Sequence, residues 1–303
     1  MQLYRFPFQC SLPYTTTLLM RVHAISRPGN EPSLDLLRSM GFDITSSPDF
    51  VAGTNSDLLV ILGGDGTIHR FLPDLLRSAV PVLVVPCGSG NDFARALGIT
   101  SVEIALQLVR EFARGNARIR EADLGIIADG SGKQTPFCCT GGVGLDAVAA
   151  QFANHLPQWV RAHGGYLLGA MRAAFANPIL QLTVRANTAA GDHATRKRCC
   201  LFAFANTPSF GGGLRIAPGA RLSDGQLDCV LVEAMSRPRL ARAMISLLKA
   251  THLRLKEVHS MRSERLRIET NPPTQVYADG EYVCETPVEV RVWPRALRVL
   301  HRD

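Results

Sequence analysis

The sequence predicts a parallel α/β domain followed by a larger β-sandwich domain with helical insertions. Two observations carry this. Up to about residue 124, unbroken apolar runs end in turn residues and lead into helical patterns, which argues for a parallel sheet. Beyond Asp123, short β-rich runs are separated by turn signals, which argues for an antiparallel sandwich.

In chain order, "RVHAIS" reads as a strand and "SLDLLRSM" as a short helix stopped by Gly41. "DLLVIL" has six residues without alternation, so it is a strand covered on both faces. A helix follows from near Thr67. "VPVLVVP" is another strand, "NDFARAL" a helix ended by Gly98, and "SVEIALQLVREFARG" a helix ended by Gly115. In the second half "FCCTGGVGLDAV", "ILQLTVRA", "CCLFAFAN", "LDCVLVEA", "ERLRIET", "TQVYADGEYV" and "VEVRVWP" read as strands. Helical insertions are expected near 151–176 and 238–256. The expected division is 1–124 and 125–292, with 293–303 completing the first domain.

With 303 residues, 46% hydrophobic and 19% charged, the chain can bury a sizeable core, which excludes wholesale disorder. No apolar window is long enough for a membrane span. The N-terminal twenty residues contain Pro7 and Pro13 and lack a continuous apolar region, so no signal peptide is expected, and the effective start is placed near Met20. The eight cysteines show no C-x-x-C spacing. Cys138-Cys139 and Cys199-Cys200 lie in apolar runs and read as buried small hydrophobes, in a reducing cytoplasm. The net charge of +7 is uneven: residues 1–124 hold 11 basic and 12 acidic residues, the remainder 22 and 14. That suits an anionic partner or simply an Arg-rich surface.

The stretch "LLVILGGDGTIHRFLP" asks why glycines and a carboxylate stand where a buried strand ends. Gly63, Gly64 and Gly66 let backbone N–H groups approach an anion, and the following helix points its positive end there. Asp65 would repel a phosphate alone, so a cation between them is the natural inference. A tight strand–helix turn capped by Asp65 is the other reading. Twenty residues on, "VPCGSGNDFARALGI" repeats the arrangement with Gly88, Ser89, Gly90, Asn91 and Asp92. Two such strand ends would share one crevice. No Lys follows the glycines, so this is not a P-loop.

"GGDGTIH" with "PCGSGNDFARALGI" resembles the catalytic domain of the diacylglycerol kinase and sphingosine kinase family, in its bacterial soluble lipid kinase branch. "GGVGLDA", "GGYLLGAMRA", "ANTPSFGGGLRIAPGARLSDGQLDCVLV" and "VYADGEYVCETPVEVRVWPRALRVL" follow in family order. The resemblance implies an NAD kinase-like first domain. It implies ATP binding by Gly63, Gly64, Asp65, Gly66, Thr67, Ile68 and His69, and by Gly88, Ser89 and Asn91. It implies Mg²⁺ held, largely through water, by Asp65, Asp92 and Asp123, with Arg95 nearby. Glu281 corresponds to the proton acceptor, with Asp279 beside it. A second, structural Mg²⁺ maps to Asp224 and to backbone around Arg221 and Gln226. Read without the resemblance, Glu281 is a solvated residue just after a D-G hairpin turn; the family position reverses that reading.

The N-terminal region departs from the family pattern. It is short for a strand, an Asn-Pro-x-Ser-Gly loop, a long helix, a strand and a Thr loop. Arg27 to Asn30 stand where the first loop belongs, Thr45 or Ser46 where the threonine belongs, and His69 where relatives commonly have Asn.

Three further segments stay open. "RPRLARAMISLLKATHLRLK" reads as a helix covering the sandwich with its Leu and Ile face, or as a basic amphipathic helix on an acidic membrane. "RKR" at 196–198 reads as a charged turn. Trp159, Tyr166, Leu167 and Leu168 read as the wall of an acyl-chain cleft or as ordinary core.

The expected activity is transfer of the γ-phosphate of ATP to a lipid hydroxyl, with the lipid between the domains. The alternatives are a kinase of a soluble alcohol and a nucleotide- or lipid-binding protein without turnover. Transient peripheral contact with the inner membrane face and no nucleic-acid partner are expected. A homodimer is one option for the oligomeric state.

Overall fold

The computed structural model describes residues 20–26, 28–48, 55–154, 178–188 and 191–302. Four parallel strands open the fold. β1 (Arg21–Ser26) lies between β2 (Asp43–Ser47) and β3 (Leu58–Gly63), and β3 pairs with β4 (Val82–Pro86). Helices α1 (Glu31–Arg38), α2 (Asp65–Leu75), α3 (Asp92–Ala96) and α4 (Val102–Ala113) alternate with them. All six residues of β3 are buried, as its lack of alternation requires. Each large aliphatic side chain buried there contributes about 1.5–3 kcal/mol, which fixes the strand end that carries the site.

α2 begins at Asp65, two residues before the expected Thr67. The reason is local. Gly64 takes an extended N-cap conformation, so the carboxylate of Asp65 falls in the first turn, where the helix dipole favours it.

The second half is antiparallel. Its elements are β5 (Ile119–Ala128), β6 (Gln134–Phe137), β7 (Thr140–Gly144), α5 (Leu145–Asn154), β8 (Leu180–Thr188), β9 (Gly191–Ala205) and β10 (Leu227–Glu233). Then come α6 (Arg237–Leu248), a 3₁₀ turn at His252–Arg254, β11 (Val258–Ser263), β12 (Arg265–Asn271), β13 (Gln275–Ala278), β14 (Glu281–Glu285) and β15 (Val288–Leu300). The order is β14-β13-β7-β9-β8-β12-β15, with β10 between β9 and β11, and with β6 on β5 and β5 on β15.

β15 joins the two halves. It runs antiparallel to β12 and β5, and its Val299 pairs in parallel with Val82 of β4. "VEVRVWP" therefore does not end its strand at Pro294. The register shifts between Trp293 and Leu297, Arg295 takes a φ of 52°, and the strand resumes. The Arg302 N–H then bonds to Leu97 O.

Other sequence expectations are revised. "GGVGLDAV" leaves its strand at Gly144, whose φ of 87° turns the chain, and α5 starts there rather than near 151. The rest of the 151–176 insertion, with Trp159, Tyr166, Leu167 and Leu168, lies outside the described residues, as do Arg27 and the first nineteen residues. "RKR" is strand rather than turn. Arg196, Lys197 and Arg198 pair with Thr183, Leu182 and Gln181 in the long β8–β9 hairpin, where all three are exposed and Lys197 meets Glu233. Among the described residues no helix is long and apolar enough to cross a membrane.

Candidate active site

The two glycine turns pack against each other backbone to backbone. A Cβ placed on Gly88 would lie 2.4 Å from Gly64 Cα, and one on Gly64 would lie 2.9 Å from Gly88 Cα. Neither position has room for a side chain. A Cβ on Gly63 would sit 2.6 Å from Thr67 Cβ, so β3 and α2 also meet too closely for one. Asn91, in the left-handed region at φ 53°, holds the second turn. Its side chain accepts from the Gly88 N–H at 2.9 Å and donates to Gly88 O at 2.6 Å. Asn91 thus shapes the loop, and the Gly88 N–H is already committed to it. Ile68 is buried core, while Ser89 is exposed beside Gly90.

Asp65 and Asp92 come together at the crossing. Asp65 accepts from the backbone N–H groups of Asp92 and Phe93, both at 3.0 Å. Asp92 accepts from Arg95 Nη1 at 2.6 Å, Ser209 Oγ at 2.7 Å and the Gly212 N–H at 2.8 Å. Arg95 also donates to Gly90 O. Gly90 marks the hollow between the carboxylates, since a Cβ there would lie 2.7 Å from Asp65 Oδ2 and 3.5 Å from Asp92 Oδ2. Hard carboxylate oxygens around a space without a side chain fit Mg²⁺. Each of these oxygens already accepts a hydrogen bond from protein, which favours contact through the ion's retained waters.

Burial pushes the Asp65 carboxyl up to about 6, and the charge of Asp92 adds to the rise. The N–H bonds from Phe93 and Asp92 oppose it, and Asp279 raises it slightly further. The folded protein therefore holds this proton to higher pH than the unfolded chain does. Stability from this site is greatest below about pH 4 and falls as pH rises to about 6. Without metal, the stability of wild type minus that of Asp65→Asn should drop by on the order of 2–3 kcal/mol across that window. Denaturant titration measures it, and a difference that stays flat or rises would contradict the buried-charge conflict.

The D-G-E hairpin closes over the first turn. Asp279 and Gly280 both have positive φ, 51° and 85°, the two-residue turn the sequence predicts. The Asp279 side chain is fully buried and accepts from the N–H groups of Cys138, Cys139 and Thr140 and from His69 Nδ1 at 3.0 Å. Its role in the fold is to pin the hairpin to β7 and α2. His69, assigned to nucleotide by resemblance, spends Nδ1 on this contact. Burial lowers the His69 pKa, but the bond to Asp279 and the charges of Asp279 and Glu281 outweigh it and raise it. Glu281 is exposed and reaches over the first turn, with a Cβ on Gly66 placed 3.3 Å from Glu281 Oε1.

Asp123 is buried in β5. Its carboxylate accepts from the N–H groups of Gly225 at 2.7 Å and Arg295 at 2.8 Å, tying β5 to the turn at Gly225 and to the bulge of β15. Asp224 accepts from the Gln226 N–H at 3.1 Å and pairs with Arg262, while Arg221 is exposed beside them. Cys138, Cys139 and Asp279 cluster closely enough to suggest a metal, but they do not fit one. Burial drives both thiols upward, Cys138 to about 12, so they stay protonated, and Asp279 is filled by N–H donors.

The N-terminal loop reaches the site through Asn30, whose amide donates to Leu62 O at 2.8 Å beside the first turn. Thr45 bonds His23, and Ser46 accepts from Arg38. Sequence reasoning missed Ser209 and Gly212. Their signal was the glycine-rich "SFGGGLRIAP", noted in the sequence but given no role.

Residues 48–127 match the diacylglycerol kinase catalytic domain, and residues 140–301 match the YegS C-terminal NAD kinase beta sandwich-like domain. A diacylglycerol kinase of Mycobacterium tuberculosis is 30% identical over 272 residues, covering 88% of this chain and 85% of that one. The chain belongs to the diacylglycerol kinase catalytic-domain family. It is a kinase, a phosphotransferase with an alcohol acceptor, of the bacterial lipid kinase branch. A diacylglycerol kinase of Bacillus subtilis is 26% identical over 250 residues, covering 82% of this chain and 78% of the relative. A solved diacylglycerol kinase from Bacillus anthracis superposes with a TM-score of 0.66 at 14% identity, covering 94% and 97% of the two chains. Yeast NADH kinase shares the fold at 0.51 and 13% identity, covering 94% and 84%.

Proposed function

We propose that this lipid kinase transfers the γ-phosphate of ATP to the primary hydroxyl of a diacylglycerol-like lipid, with Mg²⁺ as its metal. The observation that carries the reading is the meeting of three elements: the paired glycine turns, the Asp65–Asp92 hollow at Gly90, and Glu281 over Gly66. The triphosphate would lie along the first turn, where the N–H groups at the start of α2 have no helical partner. Asp65 and Asp92 would hold the metal through its waters. Mg²⁺, when bound, neutralises charge that develops on the phosphoryl oxygens.

Glu281 takes the proton of the attacking hydroxyl. As the alcohol oxygen bonds to the γ-phosphorus, the bond from that phosphorus to the bridging oxygen breaks and ADP leaves. The transition state is loose, so positioning matters more than base strength. Arg95, fixed by Asp92 and Gly90 O, keeps positive charge beside the hollow. The same ion pair holds the Asp92 carboxylate in place. Two relatives named diacylglycerol kinase support the acceptor class.

The test is a transfer assay with γ-labelled ATP and diacylglycerol dispersed in detergent, with and without chelator. The expected result is labelled phosphatidic acid that disappears when Mg²⁺ is removed. No product from diacylglycerol, alongside product from a soluble alcohol, would overturn the substrate assignment. Product that persists in chelator would overturn the metal.

A further inference from the structure

We propose that the outward face of α6 and the turn after it dock on an anionic lipid bilayer. The helix has two faces. Leu240, Ala243 and Leu247 are buried in an apolar layer over the sheet, so the covering role read from sequence holds for them. Ile245, expected to share it, points the other way. Ile245 and Leu248 are each 55% exposed and Leu253 is 39% exposed. Around these three stand Arg237, Arg239, Arg242, Lys249, Arg254 and Lys256, all exposed. No Asp or Glu occurs from Arg237 to Lys256. Among these six cations only Arg239 has an acidic partner within the described residues, Glu257 at 3.4 Å.

Large aliphatic side chains inside a ring of cations match one kind of surface. The apolar groups reach the acyl boundary while the cations meet lipid phosphates. A second copy would set like charges against each other. A nucleic acid would satisfy the cations but leave Ile245 and Leu248 without apolar partners.

The surface is also joined to the site. Ser209 and Gly212, which bond Asp92, belong to the same loop as Ile216, Ala217 and Ala220, which pack in the layer beneath α6. His252, in the turn after α6, bonds Ile216 O at 2.8 Å. Docking here would therefore bear on the loop that holds the Asp92 carboxylate. The benefit to catalysis rests on the proposed lipid substrate; the binding itself does not.

The test is co-flotation of the full chain with phosphatidylcholine vesicles, with and without phosphatidylglycerol. Binding is expected only with phosphatidylglycerol and should weaken with salt. Arg242→Glu with Lys249→Glu should weaken it at least about 30-fold, from roughly 1 kcal/mol per cation lost. Ile245→Ser with Leu248→Ser should weaken it as well. Both pairs should keep wild-type transfer to a short-chain diacylglycerol presented as monomers. Equal binding to both vesicle types, or none, overturns docking, as do variants that bind like wild type. A wild-type dimer that the Ile245 and Leu248 changes dissociate, with vesicle binding intact, would make the face a contact between copies instead. Absence of transfer by a wild type that still binds vesicles counts against the proposed substrate and leaves docking supported.

Discussion

Glu281→Gln is expected to lower transfer by roughly 10²- to 10⁴-fold while nucleotide affinity stays at the wild-type level. Glutamine keeps the size of the side chain but cannot take the proton. The fold should be indifferent to the change, because the hairpin is held by Asp279 through three backbone N–H groups and His69, and Glu281 itself is exposed. Turnover of labelled ATP gives the rate, and calorimetric titration with a non-hydrolysable ATP analogue gives the affinity. Unchanged turnover would remove Glu281 as the proton acceptor. Loss of both turnover and affinity would mean that it holds the nucleotide instead.

What the sequence showed depended on how local the cause was. β3 and β4 were legible because unbroken apolar runs need cover on both faces, and the Asp279-Gly280 turn because few residue pairs accept two positive φ values. The meeting of Asp65 with Asp92 was legible from topology, since adjacent parallel strands end at one edge. The partners of those carboxylates were not. Asp279 reads as a turn residue, yet its buried carboxylate is fixed by N–H groups some 140 positions earlier, which no local pattern encodes. Asp123 stands at the end of an alternation that says nothing of Gly225 and Arg295. Nor does the local pattern around Pro294 show that the strand goes on, because a proline weakens a strand, whereas here a bulge between Trp293 and Leu297 carries the chain past it to β4.

Gly88→Ala should cost roughly 1–3 kcal/mol of stability, the usual cost of overpacking, and weaken nucleotide binding about tenfold or more. The new Cβ would stand 2.4 Å from Gly64 Cα and 2.9 Å from Gly64 N. Backbone cannot swing aside as a side chain can, and Gly63 is registered against Pro86 by the β3–β4 ladder. The turns must part, which widens the space between Asp65 at the start of α2 and Asp92 across Gly90. Gly66→Ala makes the opposite case. Its Cβ meets only the far end of Glu281, at 3.3 Å, and alanine suits the first turn of α2 better than glycine does. Thermal unfolding should therefore show Gly66→Ala at or above wild type and Gly88→Ala several degrees below it. In the transfer assay, Gly66→Ala should lose rate by displacing Glu281, whereas Gly88→Ala should lose affinity. If both variants melted and bound like wild type, the two turns would not be in contact, and the shared crevice on which the catalytic reading stands would be gone.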